Sequence, residues 1–160
     1  VDGLCASAGY YLASQCSQIV AGRMDEIGCI GTRMLAYDVS KMFEDKGVKA
    51  VPIDTGPYKS MGAAGTVITD EHKAYMQTIC DGYFADFRAA VGRGRPGLQG
   101  ARFDAVADGR CWLAADALNM GLIDRIASTD ATLSELQASV AKDTGRSAMA
   151  RAKANSLSRI

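Results

Sequence analysis

The stretch Cys5-Ala-Ser-Ala-Gly-Tyr-Tyr-Leu-Ala-Ser14 sets one serine, Ser7, among small residues at the mouth of a helix-forming run. Tyr10, Tyr11, Leu12, Ala13 and Cys16 supply the apolar positions of a helix that begins at Ser7. A serine hydroxyl in such a place is a candidate nucleophile, and it needs a base to take its proton. The chain has a single histidine, His72, which sits at the start of a long helical pattern and reads as an exposed first-turn residue. Lysine is then the available base, and Lys59 stands in Thr55-Gly-Pro-Tyr-Lys-Ser60, inside a glycine-rich loop over 55–66. A bland reading stands beside this one. Serines between small residues also cap helices, and lysines in glycine loops are also plain solvated charges.

Outward from Ser7 the pattern alternates between short strands and helices, which makes the chain α/β. Gln18-Ile-Val-Ala21 is expected as a strand ended by Gly22, and 29–37 as another. A short helix follows over 39–46, stopped by Gly47, then a strand over 48–54 with Pro52 marking an edge or bulge. Thr69 caps the next helix, with Asp70 and Glu71 in its first turn. Tyr75, Ile79, Tyr83, Phe87 and Val91 repeat at i, i+4 and give that helix an apolar stripe for core packing or an oligomer contact. Gly92-Arg-Gly-Arg-Pro-Gly97 ends it and reads as a solvated turn. A strand over 110–113, a helix over 114–120 stopped by Gly121 and a strand over 122–126 complete the core, which spans 1–127. From Ser128 the composition turns to Ser, Thr, Ala, Lys and Arg, and no aromatic follows Trp112. The segment 128–160 is expected to be a polar tail, helical in company or loose alone, with a weak helix over 131–142.

Composition narrows the function. The chain has 160 residues, 48% of them apolar, with 18 basic and 18 acidic side chains. That fits one modest globular domain. A formal net charge of +0 argues against nucleic acid as a partner, because phosphate recognition needs a basic surface. The five cysteines are odd in number and form no C-x-x-C pair. They are expected as buried, reduced thiols of a cytosol-like compartment, not as a disulfide framework or a zinc site. No apolar run approaches bilayer length and no signal peptide is visible. Val1 opens directly into the serine motif, and the chain is read as a piece of something longer.

Lysine serves as a base only when neutral, which requires apolar burial or a neighbouring positive charge. The residues around Lys59 are Gly56, Pro57, Tyr58, Met61 and Gly62, and no carboxylate is closer in sequence than Asp54. Such surroundings permit a lowered lysine pKa. At Ser7, the N–H of Ala8 is the natural first donor to an oxyanion.

Five ordered segments carry a resemblance to the signal peptide peptidase A family, peptidase family S49. They are Cys5–Ser14 with its Ser-x-Gly-Tyr-Tyr core, Gly28-Cys-Ile-Gly31, Thr55-Gly-Pro-Tyr-Lys-Ser60, Thr69-Asp-Glu-His72, and Gly109-Arg-Cys-Trp-Leu-Ala-Ala-Asp-Ala-Leu-Asn-Met-Gly-Leu-Ile-Asp124. The resemblance implies a ClpP/crotonase-type superhelix of β-β-α units that assembles into homo-oligomers. It also implies serine endopeptidase chemistry on peptide or protein substrates, with Ser7 as nucleophile and Lys59 as general base, and no metal or organic cofactor. Tyr10 and Tyr11 become candidates for a peptide groove, with core packing as the other reading.

The chain departs from the family pattern at two points. Cys29 occupies the place where the family carries the serine that orients the lysine, and a thiol is a weaker hydrogen-bond partner. The family also has a Gly-Gly oxyanion loop and several strands ahead of the nucleophile, so this chain is read as the C-terminal part of the catalytic domain, inactive alone. Two settings fit: a bacterial peptidase of signal-peptide remnants, or a phage capsid protease of scaffold proteins; the expected location is cytoplasmic or procapsid-associated, and membrane-linked only through an absent N-terminal segment. From other classes, a non-catalytic assembly protein on the same fold and a crotonase-like acyl-CoA enzyme remain as alternatives.

Overall fold

The computed structural model describes residues 1–157, with side chains described through Lys142 and at Thr144 and Arg146. In chain order the elements are β1 (Leu4–Ala6), α1 (Ala8–Ala13), β2 (Val20–Ala21), β3 (Glu26–Gly28), α2 (Ser40–Asp45), α3 (Asp70–Gly94), α4 (Ala101–Asp104), β4 (Cys111–Leu113), α5 (Ala114–Met120), β5 (Arg125–Ile126) and α6 (Thr129–Leu157). The chain is α/β, as expected.

Two compact units divide these elements: residues up to Ile30 together with those from Val91 onward, and Gly31–Ala90. In the first unit, β1, β3 and β4 form a sheet with β3 in the middle. β1 and β3 run parallel, with Cys5 opposite Ile27 and Ala6 opposite Gly28. β4 runs antiparallel to β3, with Trp112 opposite Ile27 and Cys111 opposite Gly28. β2 and β5 form a second, parallel pair, Val20 opposite Arg125 and Ala21 opposite Ile126. Tyr10, Ile27, Ile30, Leu98, Phe103 and Leu122 are buried at its core.

Local chemistry explains several helix ends. Gly121 takes the left-handed conformation, φ 82°, directly after α5. There its N–H donates to the Leu118 carbonyl at 3.0 Å and that of Leu122 to the Ala117 carbonyl at 2.8 Å, the closing pattern of an αL-capped helix. At the start of α3 the Thr69 hydroxyl accepts from the His72 N–H at 3.2 Å, and the His72 Nδ1 accepts from the Thr69 N–H at 3.4 Å. This is a capping box with histidine in the place that Glu or Gln usually holds. In α6, the Ser128 hydroxyl accepts from the Ala131 N–H at 3.2 Å, and the helix runs continuously to Leu157. Residues 158–160 of the expected tail lie outside the described residues. No helix of the described residues is long and apolar enough to cross a membrane.

Three local expectations are corrected. The strand expected over 29–37 lies earlier, at Glu26–Gly28, because Cys29 adopts φ 49° and breaks the extended run. The segment 48–54 forms no strand; its β-formers find no ladder partner in their own unit, and strand propensity without pairing leaves the backbone irregular. The turn Gly92–Gly97 is not solvated throughout. α3 continues to Gly94, where an added Cβ would stand 1.8 Å from the Ser14 carbonyl oxygen. Arg95 is buried, and its Nη1 donates to both carboxylate oxygens of Asp124 at 2.8 Å. Asp124 also accepts from the Ile19 N–H at 2.6 Å, while its own N–H donates to the Ile19 carbonyl at 2.9 Å.

Candidate active site

Ser7 stands alone between the last residue of β1 and the first of α1, with φ 51° and ψ −120°. Among the described residues only Ser7 and Cys29 are non-glycines at positive φ. Holding an L-residue there costs of order 1–3 kcal/mol and persists only where the surroundings over-determine it. They do so here. The Ser7 N–H donates to the Gly28 carbonyl at 2.8 Å, extending the β1–β3 pairing by one residue, and the Ser7 carbonyl accepts from the Tyr11 N–H at 2.9 Å to open α1. The backbone therefore turns from strand to helix within one residue, and the Ser7 side chain is exposed. A sharp strand-to-helix turn of this kind is how nucleophilic serines are raised above a sheet. Ala8 and Gly9, which follow, have N–H groups that precede the first bond of the helix.

Gly28 underlies this turn. Its φ is 124°, and a Cβ on it would meet the Arg110 carbonyl oxygen at 3.0 Å and Trp112 Cδ1 at 3.2 Å. Cys29 follows, its N–H donating to the Arg110 carbonyl at 2.8 Å. Its thiol neighbours that of Cys111, which is pushed above the ordinary thiol range chiefly by burial, with Cys29 and Glu26 adding to the rise. Arg110 lies over the Trp112 ring, 4.4 Å from its centroid, and is paired with Asp108 at 2.6 Å.

Tyr10, three residues on from Ser7, is wholly buried. Its hydroxyl donates to the Leu122 carbonyl at 2.9 Å, and burial above all holds the phenol protonated far beyond the usual tyrosine range. Tyr10 is a core residue, which corrects its candidacy as a groove residue; one helical turn carries it to the inner face of α1. Tyr11 is half-buried.

Lys59 belongs to the second unit and is exposed. It sits in a tight turn, its N–H donating to the Gly56 carbonyl at 3.1 Å. Its two neighbours are tied down. The Tyr58 hydroxyl donates to Glu71 Oε1 at 2.6 Å, and the Ser60 hydroxyl donates to Asp54 Oδ2. His72 caps α3 and lies against Tyr58, ring centroids 5.8 Å apart. Among the described residues no group of three or more His, Cys, Asp or Glu side chains is gathered as a metal site requires.

The sequence reading passed over Tyr58, Glu71, Arg95 and Asp124. Glu71 carried a signal only as an acidic first-turn residue, and Asp124 only as the last letter of the closing motif.

An exposed serine on a strained strand-to-helix turn, set in an α/β framework, is an arrangement in which a hydroxyl can be presented for nucleophilic attack. The model of peptidase family S49 matches residues 1–143. The chain belongs to that family, and its α/β fold is of the ClpP/crotonase kind. It is 30% identical over 125 residues to the slr0021 protein of Synechocystis sp., covering 78% of this chain and 45% of that one. It is 30% identical over 129 residues to the chloroplastic serine protease SPPA of Arabidopsis thaliana, covering 79% of this chain and 19% of that one. The chain thus spans less than half the length of these curated relatives. Among solved structures, an enoyl-CoA hydratase from Mycobacterium smegmatis aligns with TM-score 0.42 and 19% identity over 89% of this chain and 37% of its own, a likeness too loose to bear on the reaction.

Proposed function

We propose that this chain carries the nucleophile and base of a serine endopeptidase. Ser7 Oγ attacks the scissile carbonyl, the Lys59 amine takes the hydroxyl proton, and the resulting ammonium returns it to the leaving amine. Water activated by Lys59 then hydrolyses the acyl-enzyme on Ser7. The Ala8 N–H is one donor to the tetrahedral oxyanion, and Cys29 stands where the family orients its lysine. The observation that carries the reading is the backbone of Ser7. A non-glycine residue kept at φ 51°, ψ −120° between strand and helix with an exposed hydroxyl is the kind of held strain that clusters at functional sites. The substrates are peptides, whether signal-peptide remnants or the scaffold proteins of a phage head.

The test is reaction of the chain, restored with its upstream half, with an alkyl fluorophosphonate, located by mass spectrometry. Label on Ser7 that is absent from Ser7→Ala and lost in Lys59→Ala is the expected result. A folded sample that takes no label at Ser7 would overturn the proposal in favour of a non-catalytic assembly role.

A further inference from the structure

The loop that bears Lys59 is fastened on both sides of that residue and free at it. Tyr58 donates to Glu71 Oε1 at 2.6 Å and lays its ring against two rings of α3, with centroids 5.0 Å from Tyr75 and 5.8 Å from His72. Ser60 is held by Asp54 through its hydroxyl, and its carbonyl accepts from the Thr66 hydroxyl at 3.1 Å. Glu71 is itself held in the capped first turn of α3, where the helix dipole favours its negative charge. Three successive residues therefore comprise two anchors with an exposed lysine between them. All of these contacts lie within the second unit.

We propose that Tyr58 is the positioning residue of Lys59, fixing the loop on Glu71, His72 and Tyr75 so that the lysine amine is presented from one place. This rests on the reading of Lys59 as the base. A charge-assisted hydrogen bond from a phenol to a carboxylate is among the stronger ones available to a surface loop, and the flanking rings restrict the tyrosine to one orientation. The Glu71 bond, with desolvation and Tyr75 adding, also pushes the Tyr58 hydroxyl above the usual tyrosine range. The donor thus stays protonated to higher pH than a free phenol, which is half ionised near pH 10. A fixed base matters because misplacement by about 1 Å costs up to about a hundredfold in rate.

The experiment measures the second-order rate of Ser7 labelling by an alkyl fluorophosphonate across pH in the chain restored with its upstream half, for wild type, Tyr58→Phe, Glu71→Gln, Glu71→Ala and Lys59→Ala, with thermal melts confirming that each folds. Tyr58→Phe keeps the ring contacts and removes only the hydroxyl. It should label about tenfold more slowly, with the alkaline midpoint of the profile displaced, because a loosened amine samples different surroundings. Glu71→Ala should match it, and Glu71→Gln, which retains an acceptor, should recover part of the rate. A Tyr58→Phe profile equal to wild type overturns the proposal, as does a slower rate with an unmoved midpoint, which would mark Tyr58 as merely structural. Undiminished labelling of Lys59→Ala would instead overturn the dyad beneath it.

Discussion

At the scale of single residues, Ser7 combines two properties that rarely coincide: it is exposed, and its backbone is strained. The strain is held by the bond to the Gly28 carbonyl and by the start of α1, so it belongs to the fold and not to the hydroxyl. Replacing Ser7 by Gly should relieve it. After subtracting glycine's extra chain entropy, the gain is about 1 kcal/mol in unfolding free energy, read as a higher denaturant midpoint. Ser7→Ala keeps the strain and should leave the midpoint unchanged. Both variants should lose fluorophosphonate labelling completely. A Ser7→Gly variant less stable than wild type would mean that the turn is not strained. The residue type of Ser7 and its small neighbours were legible in the sequence. Its φ was not, since a serine reaches that region only when pairing on one side and a helix on the other compel it.

At the scale of elements, the meeting of α1 with the end of α3 is set by one glycine. Gly94 lets the α3 backbone pass so near the Ser14 carbonyl that an added Cβ would stand at 1.8 Å. Gly94→Ala must push the two elements apart, at a cost of about 2–3 kcal/mol. Urea unfolding at unchanged m-value tests this, and an unaltered midpoint would show that the elements do not depend on the contact. Helix ends were the legible part at this scale. Thr69 before α3 and Gly121 after α5 act through neighbours only a few residues away, so composition announces them. Strand positions were less legible. The run over 29–37 is apolar enough for a strand, yet pairing fell to Glu26–Gly28, whose partners come from β1 and β4.

At the scale of the molecule, the first unit holds most of the buried core, whereas the second buries Ile68, Phe87 and Ala90 and exposes Leu35, Tyr37, Val51 and Ile53. The first unit is tied across long sequence separations by Arg95, Asp124 and Ile19. Arg95 is buried, and its Nε and Nη2 have no hydrogen-bond partner among the described residues, so Asp124 alone balances its charge there. Burial pushes the Asp124 carboxyl up, but the Ile19 N–H and the Arg95 guanidinium together hold it below the usual carboxylate range. A depressed carboxylate contributes stability above its unfolded value of about 3.9, and that contribution is lost as pH falls through its lower folded value. Asp124→Asn should cost about 2 kcal/mol at neutral pH, less than a fully buried pair because Asp124 is partly solvated. Its deficit against wild type should shrink below pH 4. A deficit constant from pH 7 to 3 would show that the carboxylate charge is not what holds Arg95.

The sequence by itself determined the α/β class, the capped start of α3 and the span of α5, because caps, turn glycines and side-chain types act locally, while the pair proposed for the chemistry was picked out by its resemblance to the family's motifs. Only the tertiary structure decided that Tyr10 lies in the core, that Arg95 is buried against Asp124, and that Tyr58 is fastened to Glu71. It alone decided that Ser7 stands on a strained turn. Each of these depends on a partner distant in the chain or on a backbone angle imposed from outside, and residue order does not carry that information until the elements pack.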